Sequence, residues 1–203
     1  MEKMFGAILC ACVFVTAQAS AEQNRPYIEL NLNYLQTLDN ETTGAVAPGI
    51  DRAIVSFHPM AGLGGEIGFG NIANTGVRLA ATAEYAKIHP KSVRLTGPGI
   101  DVKQTISGEK VDASVYKIKA YYDIDIGNKL IPFIGGAFGI VHSNDETDLA
   151  ASVIVGINYE ITENIYVGLR AEYAYLFAGD TELGQTSEDT QVLGFGLNLG
   201  YKF

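Results

Sequence analysis

The sequence predicts an all-β protein, an eight-stranded antiparallel up-and-down transmembrane β-barrel. Apolar and polar residues alternate with a period of two through most of the 203 residues, which is the pattern of strands with two different faces. Beyond the amino terminus, no run of the chain approaches the roughly eighteen apolar residues of a membrane helix. The connections between the alternating segments are long and short in turn, as in an up-and-down barrel that crosses a bilayer.

The carboxyl-terminal stretch, residues 190–203, shows the alternation most clearly. One face of this strand is wholly apolar and carries Leu193, Phe195, Leu197, Leu199, Tyr201 and Phe203. The opposite face is small or polar along most of its length and carries Val192, Gly194, Gly196, Asn198, Gly200 and Lys202. A strand with these two faces, long enough to cross a bilayer when tilted, is typical of the wall of a membrane barrel.

Seven earlier segments repeat this pattern. The predicted strands cover residues 28–34, 60–70, 77–87, 116–126, 130–141, 152–161 and 165–175. Short turns are predicted at 71–76, 127–129 and 162–164, and exposed loops at 38–59, 88–112, 142–149 and 177–189. An even number of strands places both termini on the side of the short turns, which in an outer-membrane barrel is the periplasm.

The charged residues on the strand faces bear on the choice between a membrane barrel and a soluble barrel. The strand faces opposite the apolar faces carry Glu29, Glu66, Arg78, Glu84, Lys117, Lys119, Asp123, Asp125, Glu160, Arg170 and Glu172. In a soluble barrel of the lipocalin type the apolar face lines the interior and the charges coat the exterior. That alternative stays open from the alternation alone, but the export signal and the aromatic residues near the strand ends favour a lipid-facing apolar surface.

The amino terminus is typical of an export signal. Lys3 precedes a mostly apolar run, residues 4–15, and Ala19 and Ala21 form a small-x-small cleavage site. We therefore expect a signal peptide over 1–21 and a barrel domain over 22–203. Cys10 and Cys12 lie inside this segment, and cleavage at a lipoprotein-type site there is the alternative.

The amino-acid composition argues against several classes of partner and ligand. The formal net charge is -9, which argues against nucleic acid as a partner. Three scattered histidines make no metal set, and the sequence indicates no cofactor. The acidic stretch at 144–148 could collect a cation weakly, but it lacks the ordered spacing of a calcium loop.

Three motifs carry a resemblance to a known family. Residues 132–139 (PFIGGAFG), 156–165 (GINYEITENI) and 169–175 (LRAEYAY) resemble the core of small outer-membrane β-barrel proteins of the porin-like, opacity and surface-antigen type, including OmpA-like and OmpX-like barrels. The resemblance implies a Gram-negative outer membrane as location, with outer-membrane lipid and lipopolysaccharide as surroundings. It also implies that Phe203, Tyr201 and Leu199 form the signal read by the outer-membrane assembly machinery. Because the sequence stops at Phe203, we expect no peptidoglycan-binding domain of the kind found in larger OmpA-like members, and anchoring to the cell wall is not implied.

Eight strands enclose an interior that side chains can just fill. Because a buried charge without a partner is costly, we predict pairing among the inward charges Glu66, Arg78, Glu84, Lys117, Lys119, Arg170 and Glu172. Paired inward charges would plug the interior, so function would depend on the exposed loops. We expect a monomeric surface protein, antigen-like or adhesin-like, that binds a host or surface ligand through these loops.

Two other functions stay open at this point. A narrow, water-filled path through the interior would make the protein a small ion channel. A lipid-modifying enzyme would need a nucleophile and a base, for which His142 and Ser143 are the candidates. Adjacent residues of a strand point to opposite faces, so the spacing does not suit catalysis, and we expect a protein that is not an enzyme.

Overall fold

The computed structural model describes residues 25–38, 40–47, 49–72, 75–106, 110–143, 146–177 and 190–203. The predicted signal peptide, its cleavage site at Ala19 and Ala21, and most of the loop at 177–189 lie outside the described residues. No helix in the described ranges is long and apolar enough to cross a membrane.

Twelve strands make up the described part of the chain. They are β1 (Arg25–Thr37), β2 (Asn40–Ala47), β3 (Ile50–Phe57), β4 (Met60–Ile72), β5 (Val77–Ile88), β6 (Pro90–Gly97), β7 (Ile100–Thr105), β8 (Val111–Asp123), β9 (Leu130–Ser143), β10 (Glu146–Glu160), β11 (Ile165–Phe177) and β12 (Thr190–Lys202).

Eight of these strands close into a barrel in the order β1-β12-β11-β10-β9-β8-β5-β4. All neighbours are antiparallel, and the last strand meets the first over the register from Tyr27 opposite Lys202 to Thr37 opposite Val192. This closure confirms the predicted fold class. The backbone groups of all eight strands are paired around the ring, as a bilayer requires of a β structure.

The two faces of the wall are those that the alternation predicts. The outward side chains along the wall are mostly apolar and exposed to the surroundings, with Leu30 at 64%, Ile118 at 65% and Phe203 at 62%. The inward positions bury charged and polar side chains instead. The soluble-barrel alternative is therefore wrong, because its apolar face would be the interior.

The other four strands correct the prediction of two structureless loops. The stretches at 38–59 and 88–112 contain β2, β3, β6 and β7, which form a separate four-stranded sheet in the order β2-β3-β6-β7. The sheet continues the barrel wall, since only two residues separate β3 from β4 and only His89 separates β5 from β6. A hydrogen bond of 2.9 Å from the His58 amide to the His89 carbonyl bridges the junction.

Two smaller expectations about strand ends were also wrong. The loop predicted at 142–149 is a tight hairpin, because β9 extends to Ser143 and β10 begins at Glu146. The strand predicted over 116–126 ends at Asp123, so Asp125 is an exposed turn residue and not an inward one. The Asp125 carboxylate accepts a 2.8 Å hydrogen bond from the Gly127 amide, which favours a turn over a longer strand.

Candidate functional site: the barrel interior and the sheet above it

Glu66 lies at the centre of the interior, with a side chain that is completely buried. Its carboxylate accepts hydrogen bonds from the hydroxyl of Tyr27 at 2.7 Å and from that of Tyr121 at 2.9 Å. The Lys119 ammonium lies 3.3 Å from the same carboxylate. Two phenol donors and one cation thus satisfy a charge that would otherwise be costly to bury.

Lys119 joins Glu66 to a second carboxylate. Its Nζ lies 3.1 Å from Glu84 Oε1, and its side chain is also completely buried. From the opposite wall, Arg170 Nη2 donates to the same Glu84 oxygen at 3.0 Å and to Asn33 Oδ1 at 3.1 Å. Strands β4, β5, β8 and β11 therefore meet through one chain of ion pairs.

Lys117 and Glu172 form a separate pair nearer the four-stranded sheet. Lys117 Nζ donates to Glu172 Oε1 at 2.5 Å, and both side chains are about nine-tenths buried. These residues come from β8 and β11, so the pair crosses the interior.

Arg78 is placed apart from the other six predicted charges. Its Nε lies 2.8 Å from Asp123 Oδ2, near the end of the barrel where β1 begins and β12 ends. Its guanidinium lies over the rings of Tyr121 at 4.5 Å and Phe133 at 5.1 Å. We expected Arg78 to pair with acids of the predicted network. In the structure, its ion-pair partner is Asp123 instead.

Several interior groups were missed by the prediction of the charge network. Glu29 accepts hydrogen bonds from Tyr166 at 2.9 Å and Asn198 at 3.0 Å. Tyr27, Tyr121 and Tyr166 share the strand parity of the inward charges, and this signal could have assigned them to the interior. Their hydroxyls matter here because each supplies a donor to a buried acid.

Glycines on the inner face make room for these large groups. A Cβ atom at Gly200 would overlap the ring of Tyr166, and one at Gly156 would overlap the ring of Phe133. The inward ring of Phe133 also packs edge-on against Tyr121, with ring centroids 5.5 Å apart. The end of the barrel where β1 begins and β12 ends is therefore filled by aromatic side chains.

Some buried polar atoms in this interior have no partner among the described residues. They include both amide atoms of Asn31, which is 1% exposed, Ser152 Oγ and Asn198 Oδ1. Buried polar atoms of this kind are usually satisfied by water.

The two residues of the candidate catalytic pair leave opposite faces of one strand. His142 and Ser143 are consecutive on β9, and the His142 Nδ1 atom lies 3.0 Å from Thr147 Oγ1 across the hairpin. Asn144 and Asp145, on which a cation site would depend, lie outside the described residues. Within the ranges that the structure describes, no group of three or more His, Cys, Asp or Glu side chains could hold a metal ion.

The four-stranded sheet carries exposed charges. On β6 and β7, Arg94 and Asp101 form a two-bond pair, with Nε to Oδ1 at 2.8 Å and Nη2 to Oδ2 at 2.6 Å. The hydrogen bonds from Arg94 hold the pKa of the Asp101 carboxyl below its ordinary value. Every residue of β7 is exposed.

A comparison with family models decides where the chain belongs. The model of the outer membrane protein beta-barrel domain matches residues 5–203. The chain belongs to this family. As a member of this family, the chain is an outer-membrane β-barrel protein. The family assignment agrees with the outward apolar side chains and the closed ring of eight strands. A search of curated proteins finds no match.

Solved structures support the same fold for this outer-membrane barrel. OprG from Pseudomonas aeruginosa matches with a TM-score of 0.61 and 15% identity, over 89% of this chain and 96% of that one. Neisserial surface protein A matches with a TM-score of 0.57 and 14% identity, over 88% and 97%. AlkL, solved in lipid bilayers, matches with a TM-score of 0.52 and 19% identity, over 91% and 93%. At these identities the likeness concerns the fold.

Proposed function

We propose that this outer-membrane barrel is a non-enzymatic surface protein that contacts other molecules through its four-stranded sheet, while its interior is closed by side chains. The observation that carries the proposal is the sheet itself. Two long connections that could have been loops contain strands instead, and β3, β6 and β7 carry exposed charged side chains. Binding residues commonly collect on such extensions of a rigid scaffold.

The side of the membrane that holds the sheet can be tested by proteolysis of intact cells. Trypsin added outside should cut in the sheet, where Arg52, Lys91 and Lys103 are exposed, and should leave Lys129 uncut. Lys129 lies in a turn at the other end of the barrel and is equally exposed. After the outer membrane is permeabilised, cutting at Lys129 should appear. Early cutting at Lys129 with an intact sheet would reverse the proposed orientation.

The role of the sheet can be tested by removing half of it. Residues 90–105 are replaced by a short Gly-Ser turn that joins β5 to β8, and folding is checked by heat-modifiable gel mobility. We expect a folded barrel that no longer binds host cells in a cell-adhesion assay. A matched control replaces only residues 98–99 of the β6–β7 turn. Unchanged adhesion after loss of 90–105 would contradict a role for this sheet.

A second candidate function is a narrow ion channel through the interior, and one observation favours it. Among the described residues, Asn31 and Ser152 have buried side-chain atoms without a hydrogen-bond partner, and buried polar atoms of this kind commonly bind water. The ion pairs of Glu84 with Lys119 and Arg170 cross the same space and support closure. Planar-bilayer recordings should show no large, stable conductance steps. Large, stable steps in the unmodified protein, with a step size that increases in Arg170→Ala, would establish the channel instead.

The absence of an enzymatic role is also part of the proposal. The neighbouring positions of His142 and Ser143 on one strand support it, since their side chains leave opposite faces. Lipid profiles of cells that express the protein should match those of cells that express Ser143→Ala. A lipid product that disappears with this substitution would show that the protein is an enzyme.

A further inference from the structure

We propose that the free edge of β7 pairs with β7 of a second copy of this chain that is held in a facing membrane. The inference rests on the proposed exposure of the sheet at the cell surface. It assigns a partner to a particular strand, and it predicts contact between membranes while each copy stays a monomer within its own membrane.

The first observation is the open edge. β7 is the terminal strand of the order β2-β3-β6-β7, and all six of its residues are exposed. Its pairing with β6 runs without a bulge from Ser92 opposite Thr105 to Gly97 opposite Ile100. A regular edge of this kind can pair with another strand, because one row of its backbone groups has no partner among the residues that the structure describes, and the charges of Asp101 and Lys103 restrict which strand can pair with it.

The second observation identifies which backbone groups are free. The Ile106 amide donates to the Lys91 carbonyl at 3.1 Å, so residues 106 and 91 form a hydrogen-bonded pair. Hydrogen-bonded pairs alternate along an antiparallel ladder, and residues 104, 102 and 100 therefore also bond to β6. The N–H and C=O groups of Asp101, Lys103 and Thr105 consequently point to the open edge.

This alternation of inward and outward backbone groups leaves few ways for two copies of β7 to pair symmetrically. In a symmetric antiparallel pair, one residue of β7 lies opposite its own copy, and this central residue must be one that brings the residues with free backbone groups, 101, 103 and 105, opposite such residues of the second copy. Centring on Asp101 places two aspartates opposite each other, and centring on Lys103 does the same with two lysines. Centring on Val102 places Asp101 opposite the second copy's lysine at position 103, twice, with the two Val102 side chains between these pairs.

The Val102-centred register is therefore the complementary one. Opposite charges directly across an antiparallel pair are favourable, and like charges are unfavourable. Val102 is 53% exposed, so it has surface to bury. The arrangement would join two four-stranded sheets into one continuous sheet of eight strands, with four new backbone hydrogen bonds at the seam.

The direction of the strands decides where the second copy lies. β3 and β6 continue β4 and β5 across the His58–His89 hydrogen bond, so the sheet leads away from the membrane. A neighbour in the same membrane presents its β7 in the same direction relative to the membrane. An antiparallel partner is reversed, and its barrel must lie in a membrane that faces the first.

The test uses the full chain in lipid nanodiscs loaded with one barrel each, because both faces of a disc are accessible. Two populations carry donor and acceptor dyes, and energy transfer between discs reports association. We expect concentration-dependent transfer for the unmodified protein. Its absence up to the highest soluble concentration would overturn the proposal.

Charge reversals test the register. Asp101→Lys and Lys103→Asp each create two like-charged oppositions between identical copies, so each alone should associate about tenfold more weakly. An equimolar mixture of these two variants restores both opposite-charge pairs and should recover the association of the unmodified protein. This recovery also shows that both variants are folded.

Lys91→Asp is the matched control. Lys91 is exposed on β6 but does not lie on the open edge, and the substitution makes the same charge change. Association should stay near that of the unmodified protein. A mixture that fails to recover, or equal loss in Lys91→Asp, would overturn the β7 register. Failure of the cell-adhesion or trypsin experiment leaves this disc measurement intact, so the two proposals fail separately.

Discussion

Lys117 and Glu172 show how residue chemistry and barrel geometry combine. Each is an inward charge on its own strand, and among the described residues neither has a salt-bridge partner on an adjacent strand. They meet across the lumen at 2.5 Å because the barrel is narrow enough for long side chains to span it. A buried pair of this kind is costly to break from one side, since the remaining charge is left without its partner.

Lys117→Met should therefore lower the free energy of unfolding by about 3 to 5 kcal/mol. The substitution keeps much of the side-chain volume but leaves the Glu172 carboxylate unpaired. The double variant Lys117→Met/Glu172→Gln should recover most of the loss, because it removes both charges. Urea titration of the refolded barrel, followed by heat-modifiable mobility, measures the difference. A double variant as unstable as the single one would show that the loss is one of packing.

The Arg94–Asp101 pair gives a prediction outside the membrane. The hydrogen bonds from Arg94 lower the pKa of the Asp101 carboxyl, so the pair stabilises the sheet above the ordinary pKa of aspartate. This contribution is lost as pH falls through the lowered pKa of the folded state. Arg94→Ala should move the pKa of Asp101 upward towards its ordinary value, as measured by carboxyl-carbon NMR titration. An unchanged pKa would mean that Arg94 is not its cause.

At the scale of the elements, the turn between β4 and β5 depends on one glycine. Gly76 has a φ of 76°, which lies in the left-handed region, and a Cβ there would lie 2.8 Å from the carbonyl oxygen of Asp123. The Asp123 amide donates to the Gly76 carbonyl at 2.8 Å, so the turn is tied to β8. Any side chain at position 76 therefore meets both backbone strain and a backbone clash.

Gly76→Ala should destabilise the barrel by about 1 to 3 kcal/mol. Gly127→Ala is the control, because Gly127 has a similar φ of 73° but no heavy atom within 4 Å of a Cβ. It should lose only the part that comes from backbone strain. Urea titration of both variants separates the two effects. Equal losses at the two glycines would remove the clash with Asp123 from the explanation.

At the scale of the whole molecule, Phe203 lies where the ring of strands closes. Its amide donates to the Pro26 carbonyl at 3.0 Å, and its ring packs edge-on against Tyr201 with centroids 5.1 Å apart. The side chain is 62% exposed, so it contributes little to packing within the barrel. This placement leaves the aromatic ring available to another protein during assembly.

Phe203→Asp should consequently reduce the amount of protein assembled in cells far more than it reduces stability after refolding in detergent. Cell fractionation measures assembly, and urea titration measures stability. Leu130→Asp is a matched control, since Leu130 is also an exposed apolar residue near the same end of the barrel. Proportional losses in both measurements for Phe203→Asp would make this residue a packing residue and nothing more.

The eight barrel strands could be predicted because a membrane wall imposes one strict rule. Outward side chains within the membrane meet lipid, so the period of two runs through most of β1, β5, β10 and β12. The strands of the four-stranded sheet do not form the wall in the membrane, so their outward residues need not be apolar. β3 and β6 carry charges on residues such as Arg52 and Arg94 among their apolar positions, and their weaker alternation resembled that of a loop.

Sequence alone determined which residues face lipid and which face the lumen, because strand parity is a local property. Only the tertiary structure decided which inward groups meet. Arg78 pairs with Asp123, while Arg170 reaches Glu84 across the barrel. These choices depend on the register of eight strands and on the ring closure between β1 and β12. No single strand contains that information, since a partner across the lumen is set by the stagger of every strand between them.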